Sequence, residues 1–245
     1  MRLFGLIGYP LTHSFSGRYF SEKFEKEGWT DCRYELFPLS SIDDLPLLIS
    51  DNPLLMGLNV TIPYKKVVIP FLDASDHLPK GVGACNCIRI VDGRLEGFNT
   101  DVIGFENSLH PLLMANHSNA LILGNGGATE AVAYVLKKLG IHFEIVSRIL
   151  HEGSTITYKE VGEAIIRSHQ LIINTTPSGM FPMVDQCPEI PYQYIGPGHL
   201  LFDLIYNPAE TLFLRKGMEQ GAATKNGEEM LKIQAEESWR IWNEF

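Results

Sequence analysis

An α/β fold built from two successive βα sets is predicted by three features of the sequence. Apolar runs of strand length alternate with helical apolar periodicity, both before residue 100 and after residue 119. At Leu121-Ile122-Leu123-Gly124-Asn125-Gly126-Gly127-Ala128 such a run breaks into glycines, and a helical pattern follows at Ala131, Val132, Val135 and Leu136. One helix later, His142-Phe143-Glu144-Ile145-Val146 supplies the second strand that a βαβ unit requires. The second half of the chain therefore reads as a Rossmann-like dinucleotide-binding unit.

The chemistry of that reading lies in the glycines. They let the backbone approach a diphosphate, and the N–H groups of the next helix's first turn donate to its charge. Gly124 and Gly126 match the first two glycines of the dinucleotide fingerprint, while Thr129 stands where the third would be. The strand from His142 ends in Ser147-Arg148. An acidic residue near this point suits the ribose hydroxyl of NAD, whereas an arginine suits a 2′-phosphate, so NADP is the expected cofactor.

Composition narrows the partners. The chain has 245 residues, 45% hydrophobic and 20% charged, enough for one large or two small domains with a substantial core. A formal net charge of -9 and the absence of a basic run argue against nucleic acid or an anionic membrane as partner. No apolar stretch has the length of a membrane span. The cysteines are Cys32, Cys85, Cys87 and Cys187, and the chain opens directly into Leu3-Phe4-Gly5-Leu6-Ile7-Gly8, so a reducing cytoplasm is expected. Cys85 and Cys87 share a strand face, but no second Cys/His pair has zinc-ligand spacing, and they read as small buried hydrophobes with no metal.

Along the chain, residues 3–9 read as a buried strand stopped by Pro10. Ser14 and Ser16 precede a helical pattern at Phe15, Tyr19, Phe20 and Phe24; either serine can cap that helix, or the two can donate to a small carboxylate. Cys32–Leu39 reads as a strand and Ile42–Ile49 as a short helix. The run from Leu54 to Ile62 reads as a strand halted by Pro63, with Asn59 and Thr61 on one face and Leu58, Val60 and Ile62 on the other. Lys65 and Lys66 follow at once. They are two surface lysines, or Lys65 is an ammonium placed at a strand's carboxyl end, where open α/β sheets bind ligands.

Asp92-Gly93 turns a hairpin between Ile88–Val91 and Arg94–Phe98. Asp101 then opens a helix running to about residue 116, as a cap or as an acid beside that ammonium. A lysine next to a carboxylate keeps its charge and can donate to a carbonyl oxygen becoming an alkoxide, which suits carbonyl reduction. Farther on, Leu171-Ile172-Ile173-Asn174-Thr175 reads as a strand ending in a polar turn, where a nicotinamide or its ribose can lie. His199–Ile205 is another strand, followed by a helix from Ala209 towards Gln220. The segment His151–Thr157 is the most loop-like insertion. A last amphipathic helix places Leu231, Ala235, Ser238 and Trp242 on one side, with Gln234 flanking them as a helix-surface amide.

Taken together, several segments resemble the shikimate dehydrogenases over essentially the whole chain. They are Gly8 to Ser16, Gly57 to Lys65, Gly83-Ala84-Cys85-Asn86, Asn99-Thr100-Asp101, the glycine loop, Asn174 to Met180, and Gly227 to Gln234. The resemblance implies an NADP-dependent oxidoreductase that reversibly reduces 3-dehydroshikimate to shikimate, in the route to chorismate and the aromatic amino acids. It implies a catalytic pair, Lys65 and Asp101. Ser14 and Ser16 would hold the substrate carboxylate, with Tyr206 nearby, and Asn59, Thr61, Asn86 and Gln234 the ring hydroxyls. Gly124, Asn125, Gly126, Gly127, Ala128 and Arg148 would bind the cofactor's phosphates, Thr175 its nicotinamide half, and Gly227 and Met230 would lie near the nicotinamide.

The implied organisation is a substrate-binding domain over residues 1–100 and 228–245 and an NADP-binding domain over 101–227, with the active site in a cleft between them. A monomer or homodimer is expected. Four positions depart from the family pattern: Gly17 replaces a proline, Cys87 a threonine, Glu130 an arginine after the glycine loop, and the run after Arg148 lacks a second cation. One cation fewer removes on the order of 1.5–3 kcal/mol of charge-assisted hydrogen bonding from a phosphate clamp, so an NAD-using quinate/shikimate dehydrogenase is the alternative. A dinucleotide-binding relative without catalysis is a further one.

Overall fold

In the computed structural model, which describes residues 1–11, 15–150 and 153–244, the apolar runs become the inner strands of two sheets. The chain divides into two units, Met1–Thr100 with Gln234–Phe245, and Asp101–Ile233.

The first unit holds a five-stranded sheet in the order β2-β1-β3-β4-β5. Its strands are β1 (Arg2–Gly8), β2 (Cys32–Pro38), β3 (Leu55–Val60), β4 (Cys87–Val91) and β5 (Arg94–Phe98). The first three are parallel; β4 returns antiparallel to β3, and β5 to β4 through the Asp92-Gly93 turn. Helix α1 (Phe15–Glu27) buries Phe20 and Phe24 on one face of this sheet, in an aromatic cluster with Phe4, Trp239 and Trp242. The other face carries an aliphatic core that includes Ile7, Leu58, Val60, Ile88 and Leu45.

Two expectations are corrected in this unit. Residues Ile42–Ile49 are not one helix: Ile42–Asp44 is a 3₁₀ turn, and α2 spans Leu45–Asp51. Pro46 has no N–H to give, so it fits only in a helix's first turn and sets where α2 starts. Ile62 does not share a buried face with Leu58 and Val60, because β3 stops at Val60 and Ile62 is 68% exposed ahead of Pro63.

The second unit is a six-stranded, wholly parallel sheet, ordered β11-β10-β9-β6-β7-β8. Its strands are β6 (Asn119–Leu123), β7 (His142–Ser147), β8 (Ile156–Thr157), β9 (Leu171–Asn174), β10 (Leu200–Asp203) and β11 (Ala223–Lys225). In chain order this is the doubly wound 3-2-1-4-5-6 arrangement, with its switch point between β6 and β9. Strands covered on both faces must be apolar on both, and Ala120 to Leu123, Leu171 to Ile173 and Leu200 to Phe202 are all buried.

Helices α3 (Thr100–Leu109), α4 (Gly127–Lys138), α5 (Glu163–Ser168) and α6 (Leu212–Glu219) accompany these strands, and α7 (Glu228–Trp242) runs from this unit into the first. The spacing of Ala131, Val132, Val135 and Leu136 gives α4 one buried stripe. Helix α3 is shorter than expected. It gives way to a 3₁₀ turn at His110–Leu112, because Pro111 cannot continue the hydrogen-bond ladder.

Helix α6 begins only at Leu212, where the Thr211 hydroxyl caps it by accepting from Leu214 N–H. Within the segment expected to be a loop, His151 and Glu152 lie outside the described residues, while Ile156 and Thr157 form the edge strand β8 against β7. No described helix is long and apolar enough to cross a membrane.

Candidate active site

The first unit gathers three carboxamides around two hydroxyls, those of Thr100 and Ser238. Asn59 near the end of β3 and Asn86 just before β4 are buried, and Gln234 reaches the same place from α7. Asn59 accepts from the Tyr34 phenol at 2.8 Å and donates to Ser238 Oγ at 2.9 Å. Asn86 accepts from Thr100 N–H at 2.6 Å, and its amide nitrogen donates to Thr100 Oγ1 at 3.0 Å and Gln234 Oε1 at 3.3 Å. Ser238, one helical turn beyond Gln234 and fully buried, lies 3.3 Å from Thr100 Oγ1 and donates to the Gln234 carbonyl at 2.9 Å.

Asn59 and Asn86 are thus held by protein at both ends of the amide, and Gln234 is held at its oxygen. A set so oriented presents donors and acceptors of defined position, which is what recognition of a small polyhydroxylated molecule requires. Burial pushes the Tyr34 phenol well above its ordinary pKa, against a lowering hydrogen bond from Ser16, so it stays a donor. Burial likewise raises the Cys87 thiol, which touches Ser238, and the group acts here as a neutral neighbour. Ser14 lies outside the described residues.

Lys65 follows β3 in a turn where Tyr64 N–H donates to the Thr61 carbonyl at 2.8 Å and Cys85 N–H to the Lys65 carbonyl at 2.7 Å. Tyr64 is buried and donates to the Leu39 carbonyl at 2.6 Å, anchoring the turn. Lys65 is half-buried and Lys66 exposed, so the two lysines are not equivalent. Thr61, also half-buried, sits at the same strand end. Asp101 is buried in the first turn of α3 and belongs to the second unit.

In the second unit the glycine turn lies at the carboxyl end of β6, beside that of β9. Gly124 has φ of +114°, and a Cβ there would lie 2.8 Å from both Thr175 Oγ1 and Thr176 Cγ2. Thr129 explains why no third glycine is needed. Its buried hydroxyl accepts from Gly126 N–H at 3.1 Å and meets Thr175 Oγ1 at 2.9 Å, so it builds the turn instead of leaving room in it. A Cβ built at Gly126 would meet nothing within 4 Å, so the turn is open on that side, where Gly126 leads into α4 at Gly127 and Ala128. A diphosphate fits such a turn. Gly153 approaches the Asn125 amide.

Gly124→Ala should cost about 1–3 kcal/mol of stability, from the left-handed backbone and the two threonine contacts together. Thermal unfolding of the variant against the parent checks this.

Arg148 is exposed just beyond β7, where Ser147 donates to the Ile149 carbonyl at 2.7 Å. Burial pushes the nearby Tyr158 phenol up to about 12, against the lowering field of Arg148. Tyr206 follows β10 and is half-buried. Gly227 donates its N–H to the Ile205 carbonyl at 3.0 Å and lies so close to the Leu204 carbonyl that no side chain fits there; Met230, one turn on, is buried. Among the described residues, no group of His, Cys, Asp or Glu is arranged to hold a metal ion.

Tyr34, Thr100, Ser238, Thr129 and Asp203 were not singled out as site residues by sequence. Ser238 left a trace there as a polar residue in the apolar stripe of α7, and Thr129 as the residue standing where a third glycine would be.

A unit with a doubly wound sheet and an open glycine turn, and a separate α/β unit carrying a buried amide cluster, define a two-domain dinucleotide-binding α/β protein. The family model described as the shikimate dehydrogenase substrate binding domain matches residues 6–88. A shikimate dehydrogenase (NADP(+)) from Clostridium beijerinckii is 38% identical, covering 100% of this chain and 93% of that protein. The crystal structure of shikimate 5-dehydrogenase from Thermus thermophilus in complex with NADP(H) and shikimate superposes with a TM-score of 0.86 at 29% identity, over 99% of this chain and 94% of that one. Quinate dehydrogenase from Corynebacterium glutamicum in complex with NAD gives 0.86 at 26% identity, over 99% and 93%. The chain belongs to the shikimate dehydrogenase family.

Proposed function

We propose that the protein catalyses the reversible NADP-dependent reduction of 3-dehydroshikimate to shikimate, serving chorismate and aromatic amino acid synthesis in the cytoplasm. The observation that carries this reading is full-length similarity to NADP-dependent shikimate dehydrogenases, joined to the buried cluster of Asn59, Asn86 and Gln234. In this reading most of the substrate contacts come from the first unit, and Tyr206 comes from the second. Asn59, Thr61, Asn86 and Gln234 hold its ring hydroxyls, and Ser14, Ser16 and Tyr206 hold its carboxylate. Four free cysteines suit a reducing compartment.

The second unit holds the cofactor on Gly124, Asn125, Gly126, Gly127 and Ala128, with Arg148 at the 2′-phosphate and Thr175, Gly227 and Met230 towards the nicotinamide. NADPH, when bound, supplies the hydride. Lys65 donates to the carbonyl oxygen as negative charge grows on it, and Asp101 is the second member of the catalytic pair.

A second reading, an NAD-using quinate/shikimate dehydrogenase, is favoured by Glu130 in the first turn of α4 and by the single cation at Arg148. The test is kcat/KM for shikimate and for quinate, each with NADP and with NAD. Shikimate with NADP should be the best pair by about tenfold, the discrimination expected of one charge-assisted contact. A preference for NAD would reverse the cofactor assignment. A chain that binds NADPH and turns over neither substrate would be a non-catalytic relative.

A further inference from the structure

Asp203 is the carboxylate that the reading above leaves without a task. It ends β10 with none of its surface exposed, and none of its hydrogen-bond partners is a cation. Oδ1 accepts from Asn174 Nδ2 and from Ile205 N–H, each at 3.0 Å, and Oδ2 accepts from the Thr211 hydroxyl at 2.6 Å. Burying a carboxylate without a cation lowers stability, whereas an amide of the same shape carries no charge but accepts at one end only. Such a carboxylate is retained where something other than stability needs it.

What a carboxylate offers and an amide does not is acceptance at both ends. Because Asp203 only accepts, the Asn174 side chain must turn its NH₂ towards it, which points Asn174 Oδ1 the other way. That oxygen accepts from Thr176 N–H at 3.0 Å and from the Thr176 hydroxyl at 2.6 Å, and Thr176 Oγ1 in turn accepts from Ser178 N–H at 3.2 Å. The turn so fixed carries Thr175 and packs Thr176 against Gly124. On its other side, the Asp203 bond to Ile205 N–H sets the start of the segment leading to Tyr206. The Ile205 carbonyl receives Gly227 N–H. One carboxylate therefore joins the turn after β9 to the turn after β10.

We infer that Asp203 is a positioning residue for the reaction: by accepting from both Asn174 and Ile205 it holds Thr175 and Tyr206 in fixed relation on the second unit. The inference rests on the reading of this unit as the NADP-binding one. Asp203→Asn keeps the shape but restores a donor, so Asn174 can flip and the turn after β9 loses its single arrangement. Thr176→Val removes the next bond of the same chain while keeping volume.

The experiment measures kcat, KM for shikimate, NADPH affinity by nicotinamide fluorescence, and melting temperature for the parent, the two single variants and the double variant. Each single variant should lose on the order of ten- to a hundredfold in kcat, the scale of a small misplacement of reacting groups, with a melting temperature within about 5 °C of the parent's. The double variant should lose no more than the worse single one, because both break one chain of bonds. Losses that multiply, losses that track the melting temperature, or parental kcat in both single variants would overturn the inference. Should Asp203→Asn fail to fold, Thr176→Val decides alone by the same criteria. A parent that binds NADPH without oxidising shikimate would sink the substrate assignment only, and the positioning role is then judged on NADPH affinity, expected to weaken about tenfold. A parent that binds no dinucleotide would sink both.

Discussion

Lys65→Ala should lower kcat for shikimate oxidation by about 10²–10³-fold while changing KM for shikimate little, the signature of a group whose contact strengthens only in the transition state. The magnitude follows from what the ammonium does. In the proposed role it meets an oxygen that is a neutral carbonyl at one end of the reaction and an alkoxide on the way, and only the second draws fully on a positive donor. The neighbouring Lys66 is the internal control: it is exposed where Lys65 is half-buried, and Lys66→Ala should keep kcat within about twofold. Steady-state rates of NADPH formation at saturating shikimate decide the matter. A Lys65→Ala enzyme with parental turnover would remove Lys65 from the chemistry.

The parts of this protein that sequence made legible are those whose cause is local. The strands β6 and β9 announced themselves as short unbroken apolar runs because both their faces are covered, and the Asp92-Gly93 hairpin because its turn needs a positive φ, which Asp92 adopts. Strand alternation could speak for Asn59 but not for Thr61, because β3 ends at Val60. Less legible were the points where proline decides between continuing and stopping: Pro46 and Pro111 moved helix ends that the apolar period alone could not place.

Contacts between distant segments were not legible from local pattern, and only the resemblance grouped Asn59, Asn86 and Gln234. The Asn59 bond to Ser238 spans 179 positions and the Asn86 bond to Gln234 spans 148, so no window of sequence contains both partners. Asp203 escaped for another reason. An aspartate after an apolar strand reads as an ordinary turn residue until its burial and three donors are seen.

Trp242→Ala should cost about 3–5 kcal/mol, the usual price of truncating a buried large aromatic to alanine. Its indole donates to the Ile88 carbonyl at 2.9 Å, stacks on Phe4 with centroids 5.0 Å apart, and lies against Gly57, where no side chain would fit. Removing it opens a cavity beneath three aromatic neighbours and leaves a buried carbonyl short of its side-chain donor, two penalties that add. Melting should fall by roughly 6–20 °C for a chain of this size. The loss has a second consequence, because Trp242 fastens the end of α7 and the same helix carries Gln234 and Ser238 into the amide cluster. KM for shikimate should therefore rise in Trp242→Ala even well below its melting point, whereas NADPH affinity, assigned to the second unit in the proposed reading, should hold. A variant whose melting temperature falls with both constants unchanged would show that the cluster keeps its geometry without that anchor.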